Sequence, residues 1–228
     1  MKIETAKIIQ FPGTLAGKRG RRERKPISTD TIKYFSGAEI KLIRKTARED
    51  HEADISKGRV TGVRNWIIVD LLTCTGVRVS EAANLKCGNL KIGYGQSEIY
   101  IENGKGGVSG TVVIPPGLKT HLRSFLNWKE SKGEGVADSD FLFIGKRGKM
   151  TSQALQQIVK GYLRQLNLYQ PGKSVHSLRH SYAVSLYSKE KDLRAVQKQL
   201  RHVSIQSTLV YADVSKTDLE RQVRGLWN

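Results

Sequence analysis

Cysteine is scarce in this chain: Cys74 and Cys87 are the only two in 228 residues. Two cysteines do not make a disulfide framework, and no secretory signal opens the sequence, so a reducing, cytoplasmic setting is expected. Long apolar runs are also missing. The longest, Trp66 to Leu72, contains Asp70 and is too short to cross a bilayer, which leaves no expected membrane partner. Acidic residues are the third shortage. With 21 Asp+Glu against 39 Lys+Arg the formal charge is +18. A surplus of that size attracts a polyanion, and nucleic acid is the usual one. A merely soluble basic protein, or a ribosome-associated one, would carry the same charge, so composition alone does not name the partner.

The length suits one sizeable core, or one domain plus a tail. Residues 1–33 read as the tail. They contain Lys18, Arg19, Arg21, Arg22, Arg24 and Lys25, then Pro26, and carry little apolar content. Dense like charge resists packing. Such an arm can contact DNA through counterion release, with Lys18, Arg19, Arg21 and Arg22 as its candidate contacts; the alternative is a solubilising tail.

The fold is expected over residues 34–228. Ser36 followed by Glu39 fits a capping box, and Ile40, Ile43 and Ala47 continue at helical spacing. Residues 63–74 are apolar on most sides, as a buried helix requires. Gly76 can end that helix, and Glu81, Ala82, Ala83 and Leu85 suit the next. Alternation over 97–102 and 110–115, with Asn103-Gly104 between, reads as a hairpin that puts Lys105 at its tip. Pro116 opens a helix to about Ser131. Phe141 to Ile144 form a short buried segment. Thr151 caps a helix carrying Leu155, Ile158, Val159, Tyr162 and Leu163. A last helix, with Val214, Leu219, Val223, Leu226 and Trp227 as its apolar residues, follows Tyr211. The class is therefore mainly α with a small antiparallel β-sheet (α+β).

The chemistry concentrates between Val175 and Tyr211. His176 and Arg179 stand three apart and share a helix face, and His180 lies one turn from His176. His202 and Tyr211 follow. Arginine offers a planar fork for phosphate oxygens, histidine moves protons near neutral pH, and tyrosine is a possible covalent nucleophile. His176, His180 and His202 can also be read as zinc ligands. Against that, Ser177 stands where a zinc protease helix has its glutamate, and no carboxylate lies within 175–188.

The order His176-x-x-Arg179, Leu200-x-His202 and then Tyr211 resembles the signature of the tyrosine recombinase (phage integrase) family. Thr75-Gly76-Val77-Arg78-Val79-Ser80-Glu81, with Leu85, resembles the family's first-arginine box, and Gly104-Lys105-Gly106 its hairpin lysine. The six positions Arg78, Lys105, His176, Arg179, His202 and Tyr211 are all filled in order. The resemblance implies the DNA breaking-rejoining catalytic fold and transesterification at a DNA phosphodiester, through a 3′-phosphotyrosyl link. It implies Tyr211 as nucleophile, His176 as candidate base and Lys105 as acid on the leaving 5′ oxygen. Arg78 and Arg179 would clamp the non-bridging oxygens, with His202 adding a hydrogen bond. No metal or nucleotide cofactor is needed for that reaction. Glu81 is expected to orient an arginine, Lys160 and Arg164 to contact DNA phosphates, and His180, Tyr182 and Tyr187 to be structural. Departures are Arg201, where a glycine is frequent before the histidine, Asp213, where histidine is frequent, and few basic residues after Lys105.

The resemblance covers the catalytic domain only, as in small single-domain integrases and fimbrial-type invertases. A core-binding domain of roughly 80–100 residues ordinarily precedes it. The arm, or an accessory DNA-bending or core-binding protein, is expected to replace part of that clamp. The implied partner is double-stranded DNA, bound by a homotetramer on paired sites with the terminal helix docking between subunits, and the implied location is the nucleoid. A DNA-binding regulatory protein with little strand exchange, and a type IB topoisomerase-like enzyme, stay open beside recombination.

Overall fold

The computed structural model describes residues 33–102 and 109–211. The basic arm, the hairpin tip with Lys105 and the terminal helix lie outside them. The described part is mainly helical with two small antiparallel sheets.

Helix α1 (Gly37–Ser56) starts at the expected box: Ser36 Oγ accepts from the Glu39 N–H at 3.2 Å, and Glu39 Oε2 accepts from the Ser36 N–H at 2.7 Å. Its Ile43 and Ala47 pack on α2 (Thr61–Thr75), which is buried on nearly every side. The one carboxylate in α2, Asp70, is 1% exposed. Arg44 donates to it at 2.6–2.7 Å and His121 Nδ1 lies 2.7 Å away, so the buried oxygens are partnered. Gly76 ends α2 in the left-handed region (φ +64°). A Cβ there would lie 2.6 Å from Tyr182 Cδ1 and 3.0 Å from Leu200 Cδ2, so glycine also permits the close approach of two later helices.

Helix α3 (Val79–Asn84) follows. Strands β1 (Leu90–Lys91), β2 (Glu98–Ile101) and β3 (Gly110–Val113) pair in sequence order, with Ile99 opposite Val112. Alternation turns Ile99, Ile101, Val112 and Ile114 inward, as the pattern requires. Helix α4 (Pro116–Ser131) begins with proline at its first position and buries Leu118, Leu122 and Phe125. Leu142 and Phe143 are buried just before the minor strands β4 (Ile144–Gly145) and β5 (Gly148–Lys149). Helix α5 (Ser152–Gln165) is capped by Thr151 and buries Leu155, Val159, Tyr162 and Leu163.

Helix α6 (Val175–Glu190) serves two apolar clusters. Val175 and Leu178 join the main core, whereas Ala183 belongs to a smaller cluster with Val196, Leu200 and Tyr211. Helix α7 (Leu193–Leu200) contributes Val196 and Leu200 from one face. Its N-terminus is capped by Asp192, and it stops at Arg201 in the left-handed region (φ +52°). The four-residue α8 (Gln206–Leu209) then delivers Tyr211. Gln199 on α7 exchanges hydrogen bonds with the backbone of Val113, which fixes β3 against α7.

Candidate active site

Arg78 precedes α3 as its N-cap residue. Glu81, three positions on, accepts from the Arg78 N–H at 2.8 Å and from its Nη1 at 2.9 Å. The carboxylate therefore closes the helix N-terminus and aims the guanidinium with the same two oxygens. Glu81 also accepts from Arg201 Nη2 at 2.5 Å. These bonds outweigh its burial and hold the Glu81 carboxyl below the ordinary carboxylate range. The Arg201 side chain is almost wholly covered, and its Nε and Nη1 have no hydrogen-bond partner among the described residues. It ties the turn after α7 to the start of α3.

Arg179 is 4% exposed. Its Nη1 donates to the Gly76 carbonyl and its Nη2 to the Leu200 carbonyl, both at 2.6 Å. Those carbonyls are orphans at the ends of α2 and α7, so the arginine satisfies them while they satisfy it. Burial first, then the neighbouring Arg78, brings the Arg179 guanidinium down to about 10, which leaves it charged at neutral pH.

His202 sits just past α7, its Nδ1 2.9 Å from Thr208 Oγ1, and Thr208 is completely buried. Burial, with Arg179 and Arg78 adding to it, lowers the His202 imidazole to about 4, so it is neutral at pH 7. Tyr211 is 8% exposed. Burial raises its phenol above the ordinary value, and Arg179 and Arg78 pull the other way. Arg78, Arg179, His202 and Tyr211 thus share one electrostatic neighbourhood although four separate segments carry them.

His176 is exposed at the start of α6, and its ring meets His180 edge-on at 4.8 Å between centroids. His180, expected to be structural, has its Nδ1 2.7 Å from the Oη of Tyr211, the residue expected to be the nucleophile. The i,i+4 relation of His176 and His180 was visible in the sequence. The approach of Tyr211 was not, because it depends on how α8 returns across α6. Lys105, Lys18, Arg19, Arg21 and Arg22 lie outside the described residues. On α5, Lys160 is half-buried and Arg164 is exposed, its guanidinium 5.2 Å from the Tyr169 ring centre. Tyr182 and Tyr187 pack on the smaller cluster.

With this geometry the site can bind a phosphodiester between two arginines and a histidine and present a phenol to it. The phage integrase family matches residues 33–218. The tyrosine recombinase XerD of Ralstonia nicotianae is 32% identical over 159 residues, 69% of this chain and 51% of that protein. XerA of Pyrococcus furiosus is 32% identical over 165 residues, 71% of this chain and 54% of that protein. The chain thus spans about half the length of the curated relatives it matches. Two solved structures share the fold. XerA recombinase superposes with a TM-score of 0.66 at 24% identity, covering 91% of this chain and 65% of its own. XerH site-specific recombinase, bound to its difH substrate before cleavage, gives a TM-score of 0.69 at 24% identity, covering 86% of this chain and 54% of its own.

Proposed function

The chain belongs to the phage integrase family, and on that premise we propose that it cuts and rejoins double-stranded DNA at specific sites. One observation carries the reading. Arg78 and Arg179 both act electrostatically on His202 and on Tyr211. The Tyr211 oxygen attacks phosphorus, the bond to the 5′ oxygen breaks, and a 3′-phosphotyrosyl link holds the broken strand. Attack by a 5′-hydroxyl reverses the step on the same strand or another. Negative charge builds on the non-bridging oxygens in the transition state, where Arg78, Arg179 and His202 offer fixed donors. Donors of this kind are worth roughly 10²–10³ in rate each. Lys105 protonates the leaving oxygen. The phenolic proton leaves toward α6, which offers His176 and His180.

Residues 34–228 act as the catalytic domain. The arm, through Lys18, Arg19, Arg21 and Arg22, and helix α5, through Lys160 and Arg164, contact the DNA backbone. Exchange between two sites needs a tyrosine at each broken strand, which a homotetramer supplies, with an accessory DNA-bending or core-binding protein completing the grip. The proposed work is on nucleoid DNA in the cytoplasm; separately, no helix among the described residues is long and apolar enough to cross a membrane.

Covalent capture tests the reading. The protein is mixed with fragmented DNA of its own genome, denatured in SDS, and the linked fragments are sequenced. Adducts sharing one boundary sequence, absent with Tyr211→Phe, are the expected result. DNA binding without adducts overturns it in favour of a regulatory protein. Adducts and relaxation without sequence preference point to a topoisomerase.

A further inference from the structure

We propose that His180 is the group that takes the proton from Tyr211, and so is a catalytic residue in its own right. The inference rests on the transesterification reading and deepens it. The Nδ1–Oη separation of 2.7 Å is that of a direct hydrogen bond to the attacking oxygen. The ring centroids lie 5.8 Å apart at 51°, so the two rings meet at their polar edges and do not stack.

The imidazole is held on a stiff support. His180 follows Arg179, whose side chain is pinned at two carbonyls. It precedes Ser181, which is buried, accepts from the Phe35 N–H at 2.7 Å and donates to the Ser177 carbonyl at 2.9 Å. The residues on both sides of His180 are therefore fixed, and its distance to Tyr211 is set by the helix. Burial, helped by His176 and Arg179, keeps the ring neutral at pH 7, so it has a lone pair to offer. His176 faces it edge-on and is itself exposed.

In the step the Tyr211 O–H bond breaks and its proton passes to His180 Nδ1. The oxygen's electron pair forms the bond to phosphorus. The P–O5′ bond breaks, and its electron pair leaves on the 5′ oxygen, which takes a proton from Lys105. Reversal returns each proton to its source. Burial makes His180 a weak base in the free protein. A phosphodiester between Arg78 and Arg179 places negative charge beside it and strengthens it as a base. Proton removal is thereby coupled to the arrival of DNA.

The test uses the full chain and the DNA recovered by covalent capture. His180→Asn puts an amide oxygen near the place of Nδ1, which accepts the hydrogen bond but cannot hold the proton. Adduct formation is expected to slow by roughly 10²–10⁴-fold. Placing a fluorinated, more acidic tyrosine at position 211 is expected to restore most of that loss in His180→Asn and little of any loss in His176→Asn. Wild-type rates in His180→Asn, or a loss that the acidic phenol does not relieve, would overturn the proposal. Relief that follows His176→Asn would move the base to His176. Absence of adducts from the wild-type protein sinks the transesterification reading and the proposal with it. Should His180→Asn melt early, imidazole nitrogen NMR of the wild-type protein decides. A neutral His180 whose Nδ1 signal moves with Tyr211→Phe supports the bond, and an unmoved signal denies it.

Discussion

Arg78 and Arg179 are held by a buried carboxylate and two helix-end carbonyls, whereas Tyr211 stands at the end of a four-residue helix with one side-chain partner described, His180. The cores behind them differ as well. Arg78 and Arg179 each follow a residue of the main core, Val77 and Leu178, and Tyr211 belongs to the smaller cluster of Ala183, Val196 and Leu200. Under the proposed reaction the difference separates two jobs. Stabilising a transition state needs donors that do not move, because reorganisation at the moment of reaction costs rate. A nucleophile that bonds to DNA and later lets go needs some freedom, and a short helix with few buried contacts gives it.

The sharpest way to break the contrast is Glu81→Ala. It strips the carboxylate from both Arg78 and Arg201 and should cost about 3–5 kcal/mol, read as a shifted denaturant midpoint. Arg201→Gly should cost clearly less, since Glu81 keeps Arg78 and the left-handed turn at φ +52° is eased. Gly76→Ala comes next. Its methyl group would meet Tyr182 and Leu200 in a left-handed backbone, with an expected loss of about 1–3 kcal/mol and a displaced Leu200 carbonyl. Thr208→Val tests the side that carries the tyrosine. Losing the 2.9 Å contact to His202 should cost about 0.5–1.5 kcal/mol and lower the adduct rate more than the stability suggests.

Acid should destabilise the fold. His180 and His202 titrate near 4 in the folded chain against an ordinary 6.5. Between those values the unfolded chain binds more protons, so stability falls as pH drops from about 6.5 toward 4 and is unaffected by these groups above that window. Melting temperatures at pH 7 and pH 5 measure the slope, and His180→Asn should flatten it.

Much of this was legible from local rules. The box at Ser36 and Glu39, the stop at Gly76, the proline start of α4 and the cap at Thr151 each depend on residues within one helical turn, and each element stands where its signal lies. The alternation of β2 and β3 gave the inward residues for the same reason. Family membership was legible because the first-arginine box and the distal histidines, arginine and tyrosine keep their order. The partners of Asp70 were not, since Arg44 and His121 come from helices on either side in sequence. Nor was the contact of Arg201 with Glu81. His180 reads as structural in the sequence, since a single histidine is more often a satisfied core or surface residue, and only the tertiary fold shows Tyr211 beside it.

The two carbonyls that hold Arg179 come from the ends of helices that serve different cores, Gly76 behind the large one and Leu200 in the small one. The arginine proposed to face the phosphate is therefore also the rivet across the seam between them. Any swing of the tyrosine-bearing unit would load that rivet. A phosphate seated on the guanidinium would alter its grip on both carbonyls at once, giving the DNA a mechanical purchase on the part of the molecule that carries the nucleophile.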